Sequence, residues 1–267
     1  SQYIGINGSG WAIESMGFQT DANRPAWYMR TSTSRYLNCS FVSTDNNNLS
    51  NCINSYGSRN HFIGCSFEST HVSSSRSLVV LSSHNDFYGC TFKHASVGEC
   101  AALSGYGSFN QCVFIGGTIG ISLSYNGSLG QITNNTFYNQ STAGLRYTYP
   151  HTDKWLCANN LFHSCATGID FNGVTATHAP IINNSFYNCT TNIATHSSSI
   201  PALETIVESS DPLANAGTDF SLAAGSSSLE SSYPYIYQLI DQRQYLDVGA
   251  VQKESTGGGG SVIVIED

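Results

Sequence analysis

A phenylalanine returns about every two dozen residues through most of this chain, each time closing a short motif of small and polar residues. The motif reads Asn38-Cys-Ser-Phe41, Gly64-Cys-Ser-Phe67, Gly89-Cys-Thr-Phe92 and Gln111-Cys-Val-Phe114. It continues as Asn134-Asn-Thr-Phe137, Asn159-Asn-Leu-Phe162 and Asn183-Asn-Ser-Phe186, so the steps between Phe residues are 26, 25, 22, 23, 25 and 24. Phe18 lies 23 residues before Phe41 and fits one coil earlier. A fixed period of this length marks a solenoid, whose repeats each bury their apolar face only against neighbours.

Between these motifs runs a second one, Gly or Asn followed by apolar-x-apolar. It appears as Gly120-Ile-Ser-Leu123, Gly144-Leu-Arg-Tyr147, Gly168-Ile-Asp-Phe171 and Asn192-Ile-Ala-Thr195, with Val79-Val-Leu81 and Ala101-Ala-Leu103 as weaker forms. In-out-in alternation is the signature of a half-buried strand, and no 3.6-residue period competes with it. Leucine-rich repeats share the length, but their Leu-x-x-Leu-x-Leu pattern is absent. The pattern predicts an all-β right-handed parallel β-helix of about eight coils, each coil three short strands, wound in the hand that parallel crossovers prefer.

Stacked coils convert the period into vertical ladders. Two residues before each repeat Phe stand Cys39, Cys65, Cys90 and Cys112, then Asn135, Asn160 and Asn184. This predicts one inward or corner position filled first by thiols and then by amides that bond from coil to coil. Cys165 and Cys189 form a second such column. The nine Cys of the sequence contain no C-x2-C pair, so reduced packing residues are expected, with one or two bridges between neighbouring coils left open. Glu68 and Lys93 share one outward place in adjacent coils, and Arg146 and Asp170 share another; each pair should join across its strands.

After Thr195 the repeat fades into Asp211-Pro-Leu, Asp219-Phe-Ser-Leu and Asp247-Val-Gly-Ala250. With the Asn-Asn-x-Phe coils, this order of motifs resembles the right-handed parallel β-helix repeat proteins of bacteria and their phages, the pectate-lyase-like superfamily. The resemblance implies a C-terminal segment that caps the last coil and protects its open edge. The organisation expected is coils over 1–200, a closing segment over 201–252, and a tail over 253–267. That tail holds Gly257 to Gly260 and then Val262, Ile263, Val264 and Ile265. Such an apolar strand either adds to a sheet edge of a neighbouring subunit or folds back on its own helix. The repeat is already running at Tyr3-Ile-Gly-Ile, which predicts a piece processed or excised from a longer protein.

The resemblance spans many functions, among them polysaccharide lyases, glycoside hydrolases, tailspikes, virion decorations and adhesins. Composition narrows them. The charged fraction is 10% and the net charge −8, with no basic run, so nucleic acid is a poor partner. No apolar stretch is long enough for a membrane span. Hydrolases of the fold use clustered Asp residues, yet no Asp-Asp pair or Gly-His-Gly occurs, and the histidines show no H-x-x-H spacing for a metal. No cofactor is expected. The best candidate site is Arg146 with Asp170, walled by Tyr147, Tyr149, His151, Asp153, Lys154 and Trp155, whose aromatic faces would stack on sugar rings. Tyr138, His163 and Tyr187, each one after a repeat Phe, form a second aromatic stripe for a glycan or another subunit. The expectation is a non-catalytic structural or recognition β-helix on a virion or cell surface. Its partners would be a bacterial surface glycan or neighbouring subunits, homotrimeric by analogy with tailspikes. The alternative is a lyase or glycosidase.

Overall fold

The computed structural model describes residues 4–20, 27–44, 53–55, 57–70, 79–81, 84–95, 97–124, 130–148, 155–173, 180–194, 202–203, 205–223 and 226–227. These residues form a parallel β-solenoid with three sheets, each of nine strands among the described residues. This is the expected fold, with a short ninth coil beyond the eight foreseen. One coil shows the plan: Ile119–Leu123 in the first sheet, Gly130–Thr133 in the second and Thr136–Tyr138 in the third. Each strand pairs in parallel with its equivalents one coil away, as Arg146 does with Ser122 and Asp170.

The corner from second to third sheet explains the repeat motif. Just two residues separate the strands, for example Asn134 and Asn135 between Thr133 and Thr136. The first of the two turns the chain in the left-handed region: Asn38 (φ 50°), Gly64 (63°), Gly89 (60°), Gln111 (53°), Asn134 (56°), Asn159 (55°) and Asn183 (51°). Glycine and asparagine tolerate that region best, which is why they precede the ladder. The second residue points inward. Cys39, Cys65, Cys90 and Cys112 are buried there, and then Asn135, Asn160 and Asn184.

The asparagine column is fully bonded. Asn135 Nδ2 donates to Asn160 Oδ1 at 3.0 Å, and Asn160 Nδ2 donates to Asn184 Oδ1 at 2.9 Å. The same oxygens accept backbone N–H groups from the coil before: Cys112 to Asn135 at 2.9 Å, Asn135 to Asn160 and Asn160 to Asn184 at 3.0 Å. Each spare amide hydrogen reaches a carbonyl, those of Phe109, Ile132 and Cys157. Buried amides satisfied in this way carry no desolvation deficit.

The repeat phenylalanines stack from Phe18 to Phe186 with centroids 4.7–5.1 Å apart and planes within 11°. That spacing is the inter-strand distance itself. A second stack, Tyr36–Phe62–Phe87–Phe109, runs beside it on the second sheet and meets it edge to face. Glycine makes room for the first stack: a Cβ on Gly120, Gly144 or Gly168 would lie 2.6, 2.5 or 2.4 Å from the ring of Phe137, Phe162 or Phe186. A smaller polar column, Asn60 and Asn85 with Thr31, lines the first-to-second corner, where Asn60 Nδ2 donates to Asn85 Oδ1 at 3.0 Å.

Part of the expected closing segment lies within the described residues. Its antiparallel hairpin, Leu213–Asn215 with Asp219–Leu222, lies along the outer face of the third sheet. Leu213 and Leu222 are buried against Leu161, and Tyr138, Ile206 and Phe220 close around them. The chain is therefore clasped from the side. Glu208 anchors the return, accepting hydrogen bonds from Ser226 Oγ at 2.9 Å and Ser227 N at 3.2 Å.

Candidate functional site

Outward residues of each sheet form columns parallel to the helix axis, so any surface site is built from one side chain per coil. On the second sheet the register sets Arg35, His61, Asp86, Ser108, Gln131 and Leu156 in one column. Asp86 joins its neighbours. Its Oδ2 lies 3.4 Å from His61 Nδ1, and its Oδ1 accepts a short hydrogen bond from Ser108 Oγ. His61 and Asp86 stay half exposed, with side-chain exposures of 52% and 50%.

The lower part of this column lies in an open groove of ≈ 570 Å³. Asp86, Ser108, Gln131 and Leu156 line it, with His84 and Pro180 along the side. His84 is held by its neighbour Tyr106, whose ring stacks on it at 3.9 Å and 6°. Tyr88, on the next outward column, is 48% exposed. The groove thus offers a carboxylate acceptor, a hydroxyl, a primary amide and an imidazole, next to aromatic and aliphatic surface. Those groups suit hydrogen bonding to a polyol. Ser108 donates to Asp86 and not to a histidine, so the Ser–Asp–His set lacks the base-to-nucleophile contact of acyl-transfer enzymes.

The residues singled out from sequence fall in three places. Arg146 and Asp170 are vertical neighbours on the first sheet, with Arg146 Nε 3.3 Å from Asp170 Oδ2. Arg146 Nη2 also donates to Asn172 Oδ1 at 2.8 Å, and Asp170 Oδ1 accepts the Asn172 N–H at 2.7 Å. Both ionised groups are engaged inside this small network. Glu68 and Lys93 pair likewise, at 3.0 Å.

Tyr147 and Trp155 are not groove walls. Tyr147 follows the alternation of its strand: Leu145 and Tyr147 point in around an outward Arg146, and Tyr147 stacks on Phe171 at 4.6 Å inside the core. Trp155 sits opposite Gly130, which leaves the space its ring fills, and is 2% exposed. Neither ring is available to a sugar. Tyr149, His151, Asp153 and Lys154 lie outside the described residues, as do Val262, Ile263, Val264 and Ile265. The segment carrying the first four joins Tyr147 to Trp155, one residue before the groove residue Leu156.

The aromatic stripe is occupied by the chain's own hairpin. Tyr138 meets Phe220 edge to face at 5.4 Å, and His163 is buried between Tyr138 and Tyr187. His163 Nε2 lies 3.0 Å from Asp211 Oδ1, which ties the hairpin to the sheet. Tyr138 and His163 are thus a docking surface for the chain's own hairpin.

The sequence reading missed the groove itself. Its residues share no motif, and only strand register assembles them. The signal that existed was the recurrence of Tyr36, Phe62, Phe87 and Phe109 five residues before each repeat Phe. That recurrence fixes which residues between them point outward.

The described cysteines are free thiols. Burial pushes Cys100 and Cys157 up to about 12. Cys65 is raised by its hydrogen bond with Cys90 and by burial, and Cys39 and Cys90 by burial first. Among the described residues no group of three or more His, Cys, Asp or Glu is placed to hold a metal ion, and no helix is long and apolar enough to cross a membrane. No family model matches the chain, and no curated protein matches it.

Proposed function

We propose that this chain is a non-catalytic recognition β-helix of the pectate-lyase-like kind, a virion protein (tailspike, fibre or capsid decoration) or a surface adhesin that contacts a bacterial glycan. The observation that carries this reading is the second-sheet column Asp86–Ser108–Gln131 in an open groove beside the His84–Tyr106 stack. Hydroxyl, amide and carboxylate groups repeat there at one coil spacing, roughly 4.8 Å. An extended polysaccharide laid along the axis would meet one polar group per coil. Glycosidases place two carboxyl groups roughly 5–9.5 Å apart across the scissile bond, whereas Asp86 is the single carboxylate among the described residues that line the groove. The charges of Arg146 and Asp170 are spent on each other and on Asn172. Neighbouring subunits are the second partner class in this reading, with the Val262–Ile265 strand as the assembly arm and a homotrimer as the expected state.

The test is retention on a panel of bacterial capsular and algal polysaccharides, scored together with the release of reducing or unsaturated ends. Retention without new ends, weakened at least about tenfold in Asp86→Ala or Gln131→Ala, is the expected result, since losing hydrogen bonds to a ligand costs roughly 1.4 kcal/mol or more. Cleavage that disappears in Arg146→Ala or Asp170→Ala would replace this reading with the polysaccharide lyase or hydrolase.

A further inference from the structure

Eight described cysteines are buried or nearly so, and they are not alike. Seven are closed off from solvent, while Cys189 is half-buried between the exposed Asn188 and Thr190. It occupies the corner that follows the third-sheet strand Ser185–Tyr187, and Cys165 occupies the same corner one coil earlier, after Leu161–His163. Their environments superimpose. Cys165 Sγ faces the carbonyls of His163 and Phe137, both at 3.7 Å, and Cys189 Sγ faces those of Tyr187 at 3.7 Å and Phe162 at 3.5 Å. Ser164 and Asn188, the residues before them, turn in the left-handed region at φ 53° and 52°. The Thr190 N–H donates to Cys165 O at 3.3 Å, which fixes the register of the two corners. Vertical neighbours in a solenoid have Cα atoms roughly 4.8 Å apart, inside the span of roughly 4.4–6.8 Å that a disulfide bridges.

The two sulfurs also differ in kind. Cys165 is held in place by Gln140 Oε1, which accepts its S–H at 3.1 Å. Burial raises the Cys165 thiol, whereas the neighbouring Cys165 sulfur lowers that of Cys189. The outer sulfur is the more exposed and the better thiolate, and the inner one keeps its proton, held on Gln140. This is the division of labour of an attacking and a resolving cysteine.

We propose that Cys165 and Cys189 form an oxidant-responsive dithiol that reacts with hydroperoxides and closes to a disulfide joining the seventh and eighth coils. The Cys189 thiolate attacks the terminal oxygen of ROOH. An S–O bond forms, the O–O bond breaks, and the leaving alkoxide takes a proton to depart as ROH. The Cys165 sulfur then attacks the sulfenic sulfur of Cys189. The S–S bond forms as the S–O bond breaks, and hydroxide leaves with the Cys165 proton as water. Two thiols have lost two electrons and one hydroperoxide has gained them. The Cys39–Cys65–Cys90–Cys112 column has the same vertical spacing and serves as an internal control, because its sulfurs are sealed from solvent and the thiols of Cys39, Cys65 and Cys90 are raised.

The experiment uses the intact folded chain with Cys52→Ser, which removes the one cysteine outside the described residues. Iodoacetamide labelling at neutral pH should modify Cys189 at least about tenfold faster than Cys65, following thiolate fraction and access. Hydrogen peroxide followed by non-reducing peptide mapping should yield a Cys165–Cys189 link and leave the other thiols reduced. In Cys165→Ser, Cys189 should stop at sulfenic acid and go on to sulfinic acid, while Cys189→Ser should leave Cys165 inert. Equal labelling of Cys189 and Cys65 overturns the proposal. So does peroxide treatment that gives no link between the pair, or that links the Cys39–Cys112 column as fast.

Discussion

At the residue scale, the corner dipeptide does most of the specifying. Asn159 supplies the left-handed turn and Asn160 the buried amide, so adjacent identical residues perform two unrelated tasks. Asn160→Ala would leave the Asn135 side-chain amide and backbone N–H short of a buried acceptor and the Ile132 carbonyl short of its donor. It should cost about 2–4 kcal/mol, since each buried group left unsatisfied costs roughly 1–3 kcal/mol; chemical denaturation measures it. Gly144→Ala tests a different constraint. Its methyl would press on the Phe162 ring and on the Gly168 carbonyl at 2.9 Å, both fixed by stacking above and below. Overpacking of that sort costs roughly 1–3 kcal/mol, and the melting temperature should fall accordingly. The motif's Gly and Asn positions were legible in the sequence because backbone geometry restricts them to few residue types. Tyr147 and Trp155 were misplaced because an aromatic residue beside a charged loop reads the same whether it points in or out, and the alternation around Arg146 decided it.

At the element scale, strands gain their stability from equivalents one coil away, and charged pairs on them add little. Arg146→Ala should change stability by no more than about 1 kcal/mol, because the pair is partly exposed and Asp170 keeps its bond from the Asn172 N–H. Glycan retention should be unchanged in the same variant, so one protein sample checks both statements. The hairpin behaves differently. It covers apolar and aromatic surface on the third sheet, and Leu213→Ala should cost about 2–4 kcal/mol by opening that contact. Binding of a hydrophobic dye at low denaturant should rise as Tyr138 and Leu161 become accessible. The sequence announced a closing segment but not its direction. The aromatic stripe was legible as a stripe, and what covers it depended on where the chain returned after Val207.

At the scale of the whole molecule, stability is close to a sum over neighbouring coils. Substitutions several coils apart, such as Asn160→Ala and Phe62→Leu, should therefore add within about 0.5 kcal/mol, as sites without shared partners do; a double-mutant cycle measured by denaturation checks this. The 24-residue step, the ladders and the vertical pairs Glu68–Lys93 and Arg146–Asp170 were all determined by sequence. A solenoid has local order, and its period alone says which side chains become neighbours. The groove was decided by tertiary structure, because Asp86, Ser108 and Gln131 share no motif and become one surface through strand register and the outward turn of each residue. The clasp was decided there too. A hairpin folding onto a sheet whose strands lie some fifty to eighty residues earlier is a long-range contact that no repeat period encodes.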